Sequence, residues 1–311
     1  MALLPWFRTL HIAATVLIGG AFAFDILILR RCGDAARDLS VTNVVSRWSK
    51  QLCLWGLALA LVSWAGWLAA TATSMSGLDF SQAVTPDVLG TLLARTTFGH
   101  VWCVRLALFV VLGMLMTTRA GKSIASAFVA AALVASLAWT GHALGTNHLH
   151  VWVDAAHMLA AAAWVGMLPL LLLVMTRAAA QAGTWRDLGV ACAKCFFVPG
   201  IVAVIVLAAS GVANTSWMID SVADLWQTGY GRVLSLKLAL FALMLLLAAV
   251  NRFVIVPRVE RGAGTCGSLR SLRASVLAEL LLGAAVIAVV ACLGVTPPAA
   301  HEHQMHEHEM Q

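Results

Sequence analysis

The chain is 311 residues long, 61% hydrophobic and only 11% charged, with a mean hydropathy of +0.90 and twelve Trp against one Tyr. No soluble core can bury that much apolar sequence, so lipid must solvate most of it, which excludes an ordinary water-soluble enzyme or binding module. The net charge of +6 follows from basic residues flanking membrane segments and gives no case for a nucleic-acid partner.

Runs near 20 apolar residues are expected to cross a bilayer as helices, because in lipid each segment must satisfy its own backbone polar groups. Eight such runs are predicted, at about 4–29, 51–73, 98–118, 123–145, 151–176, 195–216, 232–256 and 274–296. Ala21-Phe22-Ala23 resembles a small-x-small leader cleavage site. The apolar run nevertheless continues past Asp25 and stops only at Arg30-Arg31, so it is taken as the first span. The runs near 98 and 232 each contain an internal cation, Arg105 and Lys237.

Assigning alternate loops to opposite sides puts 15 of the 20 basic residues on one side, from Arg30 and Arg31 through Arg119 and Lys122 to Arg270 and Arg273. By the positive-inside rule that side is the cytoplasm, and both termini face outward. Trp6, Trp67, Trp102, Trp152, Trp217 and Trp226 fall near the predicted outer boundary, and Trp48 and Trp185 near the inner one, as an aromatic belt would. Seven cysteines is an odd number. Cys32, Cys53, Cys192, Cys195 and Cys266 fall on or near the reducing side, so no disulfide framework is expected.

An internal repeat is legible. FGHVWCVRLALF at 98–109 matches YGRVLSLKLALF at 230–241 at an offset of 132 residues, and the opening of the first span resembles that of the fifth, with His11 matching His157 and Gly20 matching Gly166. The expected fold is therefore all-α and polytopic: eight transmembrane helices as two parallel four-helix repeats, N-out and C-out. Residues 1–147 form the first repeat, 148–298 the second, and 299–311 a His- and Met-rich tail too polar to pack. The repeat fails where His100 corresponds to Arg232, and where His142 falls near Val295.

All ten histidines lie outside or in the outer third of this topology. His11 sits about 10 Å down the first span at ~1.5 Å per residue. His100 opens the third span and His142 closes the fourth, while His148 and His150 occupy the following loop. His150, Asp154 and His157 have i, i+4, i+7 spacing and share one helix face. Ionisable groups at membrane depth are costly and usually face a bundle interior, paired or bound to something. Imidazole suits copper, zinc, iron and nickel. His11, His100, His142, His150, Asp154 and His157 are thus candidates for an outer metal site, with Asp154 a ligand, an acceptor orienting a histidine, or an ion-pair partner of Arg105.

The tail adds His301, His303, His306 and His308 with Met305 and Met310, a mixture of imidazole and thioether suited to catching copper. Its interspersed Glu and Met are unlike a purification tag. Cys192-Ala-Lys-Cys195 places two thiols on one helix turn, and Met158, Met167 and Met175 line the fifth span. Together Met158, Met167, Cys192 and Cys195 offer an inner metal relay, although small cysteines and methionines are also ordinary membrane-helix filler. Asp25 and Glu279 are read first as structural pairs with nearby arginines and second as a proton relay.

There is no Walker loop, DKTGT-type phosphorylation site or GxSxG, so no nucleotide-driven or hydrolytic activity is expected. The chain resembles the CopD/PcoD family of copper-resistance proteins of the bacterial inner membrane. The likeness rests on Ser210-Gly211 before Asn214, Thr228-Gly229-Tyr230-Gly231-Arg232 with Lys237, Asn251-Arg252, Pro257, and Glu279 before Pro297. Gly141-His142-Ala143, His150, Asp154, His157 and Trp164-Val165-Gly166 add to it. The resemblance implies an eight-helix, multi-pass inner-membrane protein, not an enzyme, that passes copper from the periplasm toward the cytoplasm. It also implies a small periplasmic copper-binding partner of the CopC type; the tail is an addition to the family pattern. Two rivals follow from the same histidines: a haem b electron carrier in the style of cytochrome b561, with His11 and His157 as axial ligands, and a copper sensor or chaperone dock that moves no metal.

Overall fold

A computed structural model describes residues 3–32, 38–118, 123–140, 148–219, 221–261 and 266–296. Every regular element among them is helical. The first span is α1 (Leu4–Ala23), prolonged by a wide π-helical turn over Phe24–Ile28 and a tight turn over Leu29–Arg31. α2 (Leu39–Ser76) follows, then the short α3 (Phe80–Ala83) and α4 (Pro86–Arg95), and α5 (Thr97–Thr117). α6 (Ile124–Ala135) runs on as a tight turn to Thr140. α7 (His148–Trp164) and α8 (Leu168–Ala180) form one broken span, as do α9 (Thr184–Cys195) and α10 (Phe197–Ser216). After α11 (Asp224–Gln227), α12 (Gly229–Val250) continues through a second π-helical turn at Asn251–Ile255 into α13 (Val256–Arg261), and α14 (Cys266–Leu293) ends the bundle.

Seven of these helical stretches are long and apolar enough to cross a membrane, and Ile124–Thr140 is a shorter apolar helix where the fourth span is expected. Several run well past the apolar limits read from sequence. α2 has 38 residues, about 57 Å at ~1.5 Å per residue, against a hydrocarbon core of ~30 Å. Its polar first turns stay helical because Asp38 caps them, its carboxylate accepting from the Ser40 N–H at 2.9 Å. An apolar window stops at Lys50, but a capped helix need not. The α7–α8 break has a chemical cause: Pro169 has no N–H for the Val165 carbonyl, and the chain tightens into a single turn at Val165–Met167.

α1 lies at the centre, packed against α2, α6, α7 and α14, while α7 packs on α10, and α14 on α8 and α12. α1 meets the α7–α8 break at Gly20 and Gly166. A Cβ on Gly20 would fall 1.9 Å from the Gly166 carbonyl carbon, and one on Gly166 would fall 2.3 Å from the Val16 oxygen. Only glycine permits this backbone approach. The largest apolar cluster extends across this crossing, from Ile18 and Phe24 through Phe109, Met167 and Met175 to Cys192 and Leu272.

Candidate functional site

His11 projects from α1 toward α2 and α5 and is completely buried. Its Nδ1 lies 3.1 Å from the Ala60 oxygen and 3.2 Å from Ser63 Oγ, and its Nε2 lies 2.7 Å from Arg105 Nη2. A guanidinium can only donate, so Nε2 accepts and the proton sits on Nδ1, donated to Ala60. Both ring nitrogens are therefore committed. Trp67 and Phe109 meet the ring edge-on at 5.5 and 5.8 Å, and Trp102 lies over it at 5.5 Å.

Arg105, also fully buried, ties this box together. It donates to the Leu133 oxygen at 3.0 Å, to Ser136 Oγ, and to Thr15 Oγ1 at 3.2 Å, besides His11. Its hydrogen-bond partners among the described residues are carbonyl, hydroxyl and imidazole groups. Asp154 is not one of them; that carboxylate belongs to the other half. Trp67 and Trp102, expected in an interfacial belt, instead form the walls around His11, at 2% and 0% exposure. Trp6, Trp152 and Trp226 are exposed, as belt residues would be.

His157 occupies the matching place on α7. Its Nδ1 is 2.9 Å from Ser210 Oγ, whose own proton goes to the Val206 oxygen at 2.5 Å, so the imidazole Nδ1 donates. No hydrogen-bond partner for Nε2 occurs among the described residues, and the ring lines a cavity of about 480 Å³ with Met158, Lys237 and otherwise mostly apolar side chains. Asp154, one turn earlier, accepts from Asn214 Nδ2 at 3.1 Å. Lys237 lies within electrostatic reach of both Asp154 and His157. A smaller cavity of about 140 Å³, lined by Arg8, His150, Asp154, Asn214, Tyr230 and Lys237, adjoins the first. Met158, Gly211 and Lys237 border both. His150 is 3% exposed and packs on Trp217 at 4.5 Å.

The helix face read from the i, i+4, i+7 spacing is thus turned toward these two chambers, with His150 and Asp154 on the smaller and His157 on the larger. The three do not close into one ligand set. Among the described residues no group of three or more His, Cys, Asp or Glu could hold a metal ion. His100 is exposed and bonded to its own neighbourhood, Nε2 3.1 Å from the Ala94 oxygen, and lines neither cavity. Met167 and Met175 are fully buried in the main cluster. His142, His301, His303, Met305, His306, His308 and Met310 lie outside the described residues, as does the His148 side chain.

Toward the other end, Asp25 accepts from Ser49 Oγ at 2.8 Å, and Glu279 accepts from Asn251 Nδ2, each contact made at a π-helical turn. Asn251, Arg252 and Glu279 line a third, largely apolar cavity of about 250 Å³ beside Trp164 and Phe197. The Arg252 guanidinium sits 3.7 Å over the Phe197 ring.

Sequence reasoning missed Ser63, and named Ser210 only for the family resemblance without reading that these two hydroxyls bond the histidine rings. The signal was available: Ser63 precedes Ser210 by 147 residues, nearly the 146 that separate His11 from His157. It also passed over Thr96, and quoted Thr228, 132 residues on, without reading either as a helix cap. Each caps its helix by accepting from a glycine N–H, Gly99 at 2.9 Å and Gly231 at 3.0 Å.

The family described as copper resistance protein D-like, N-terminal domain, matches residues 1–152, and that described as copper resistance protein D matches residues 190–293. Copper resistance protein D of Pseudomonas syringae pv. tomato is 29% identical over 78% of this chain and 81% of its own length. The inner membrane protein YebZ of Escherichia coli is 28% identical over 72% of this chain and 77% of its own. Copper transport protein CutJ of Bacillus subtilis is 28% identical over 71% of this chain; the match spans 41% of that longer protein. No solved structure matches the chain. With both its N-terminal half and its C-terminal third matched, the chain belongs to the copper resistance protein D family.

Proposed function

We propose that this multi-pass inner-membrane protein moves copper from the periplasm toward the cytoplasm, serving copper homeostasis and resistance. The observation that carries the reading is the pair of adjoining chambers in the second half. One carries His150 and Asp154, the other His157 with an unclaimed Nε2, and Met158 borders both. Neutral imidazole and thioether are ligands that bind copper without adding charge to a low-dielectric interior. Since the side chains are strung along the chambers, they act as successive stations for a copper ion, with Asp154 balancing its charge. His11, whose nitrogens are both taken, anchors the fold. The names of the relatives, copper resistance protein D and copper transport protein, support copper as the cargo.

The same reading takes the chain as eight spans, two parallel repeats, with both termini outside. Support comes from the paired His–Ser bonds, the paired Thr caps and the Gly20–Gly166 crossing. Residues related by a pseudo-two-fold axis can touch each other only beside that axis, and these two glycines are matched in sequence. A periplasmic copper protein of the CopC type, or the His/Met tail, would load the small chamber. The haem alternative asks His11 Nε2 for an axial bond, and Arg105 already holds that atom.

Radioactive copper uptake tests the reading. Right-side-out vesicles containing the chain should accumulate copper at several times the rate of vesicles without it. Equal rates, or a Soret band from the purified protein, would overturn it.

A further inference from the structure

At the end of the bundle opposite the histidines, three thiols from two distant segments come together. Cys32 closes the tight turn after the first span, its N–H held by the Leu29 oxygen at 3.3 Å. Cys192 and Cys195 sit one turn apart on α9. Cys32 Sγ is 3.5 Å from Cys192 Sγ, and both side chains are buried, at 6% and 0% exposure, within the main apolar cluster. Cys195 is half-buried, donates its thiol to the Arg31 oxygen at 3.4 Å, and stands within hydrogen-bonding reach of Cys32.

We propose that Cys32 and Cys192 form a two-thiolate site for a soft monovalent d¹⁰ ion, Cu(I), with Cys195 as the thiol that accepts the ion as it leaves. Two sulfurs suffice for Cu(I), which tolerates low coordination numbers and prefers thiolate to any nitrogen or oxygen ligand. Loading replaces two S–H protons by one Cu(I), releasing both protons and leaving a bis-thiolate of net charge −1. Arg31, which already interacts with Cys195, compensates that charge. The apolar shell around Cys32 and Cys192 keeps water from the bound ion, while half-exposed Cys195 offers a way out by ligand exchange. The CxxC spacing alone shows only two thiols on one helix; the partner across the fold, 160 residues away, makes the pair.

The identity of the metal rests on the copper reading above, while the paired thiols do not. The test is Cu(I) affinity of the detergent-purified full chain, measured under a phosphine reductant by competition with a chromophoric Cu(I) chelator. Cys32→Ser and Cys192→Ser should each weaken the tightest site at least 100-fold, and Cys195→Ser less than tenfold. Serine at the exposed Cys103 and Cys292 should change nothing. X-ray absorption of the unsubstituted chain with one equivalent of Cu(I) should give a first shell of two sulfurs, which covers the case of a variant that fails to fold. Unchanged affinity in both variants, or a first shell of nitrogens and thioethers, overturns the site and leaves the transport reading standing. Thiolate coordination in a chain that accumulates no copper supports the site and fails the transport reading instead.

Discussion

His11 and His157 hold matching places on matching helices, and each offers Nδ1 to a helix that brings it a serine. One is sealed and the other faces a cavity. The cause lies in a few substitutions between the halves. At the offsets that align the histidines, serines and cations, Trp64 corresponds to Gly211, Trp67 to Asn214, Trp102 to Leu234 and Thr15 to Ala161. Two indoles against His11 and a third stacked on Trp102 thus become an amide, a leucine and a glycine in the second half. Arg105, a planar fork with five donors, becomes Lys237, a single flexible ammonium. One scaffold yields a polar lock when its volume is filled and an open cavity when it is emptied.

Restoring the missing volume should break the difference most completely. A Cβ on Gly211 meets only His157 Cε1, at 3.8 Å, and the cavity of about 480 Å³ beyond it has room for an indole. Gly211→Trp should leave the fold intact and reduce vesicle copper uptake to the background of empty vesicles; uptake at half the original rate or more would mean that copper travels elsewhere.

The two histidines should then give opposite results. His157→Ala removes the proposed copper ligand of the larger chamber but only one neutral hydrogen bond, so affinity at the chamber site, read in a Cys32→Ser background, should fall at least tenfold with stability lowered by about 1 kcal/mol. His11→Ala takes one of four hydrogen-bond acceptors from a buried guanidinium and opens a void among three aromatic rings. It should cost about 3 kcal/mol and leave affinity in the folded fraction unchanged. Thermal unfolding in detergent and chelator competition on the same samples would separate them, and a common outcome for both would dissolve the distinction between lock and pathway.

Charge offers a finer probe. Lys237 lies near Asp154 and His157, where an arriving cation must displace its ammonium. Like unit charges ~8 Å apart at an effective dielectric of ~20 repel by about 2 kcal/mol. Lys237→Gln should therefore tighten copper binding about thirtyfold, yet slow its release in uptake assays. Weaker binding would assign Lys237 to holding Asp154 in place.

How much of this was legible depends on where the information sits. The apolar runs, the resemblance and the shared face of His150, Asp154 and His157 could be read because each is local and periodic. That protein groups engage both His11 nitrogens could not be, since the atoms that claim them, on Ala60, Ser63 and Arg105, come from two other helices. Trp67 and Trp102 fell near a predicted boundary and so suggested a belt, although position along a span does not fix which way a side chain turns. Cys32 drew no notice as a partner for the CxxC because the two are joined only by tertiary packing.

The smallest effect is expected at Thr15, where the lock can be loosened by one atom. Its hydroxyl donates to the His11 oxygen at 2.8 Å and accepts from Arg105 Nη2 at 3.2 Å. The matched Ala161 in the second half does without such a group. Thr15→Ala leaves the guanidinium its bonds to Leu133, Ser136 and His11, so the loss should be a single hydrogen bond of ~0.6 kcal/mol, the usual size between helices in a membrane. Copper affinity and uptake should not move, because nothing that faces the chambers has changed. A shift in affinity from this substitution would mean that the sealed half communicates with the open one across the Gly20–Gly166 crossing, and that the lock takes part in transport.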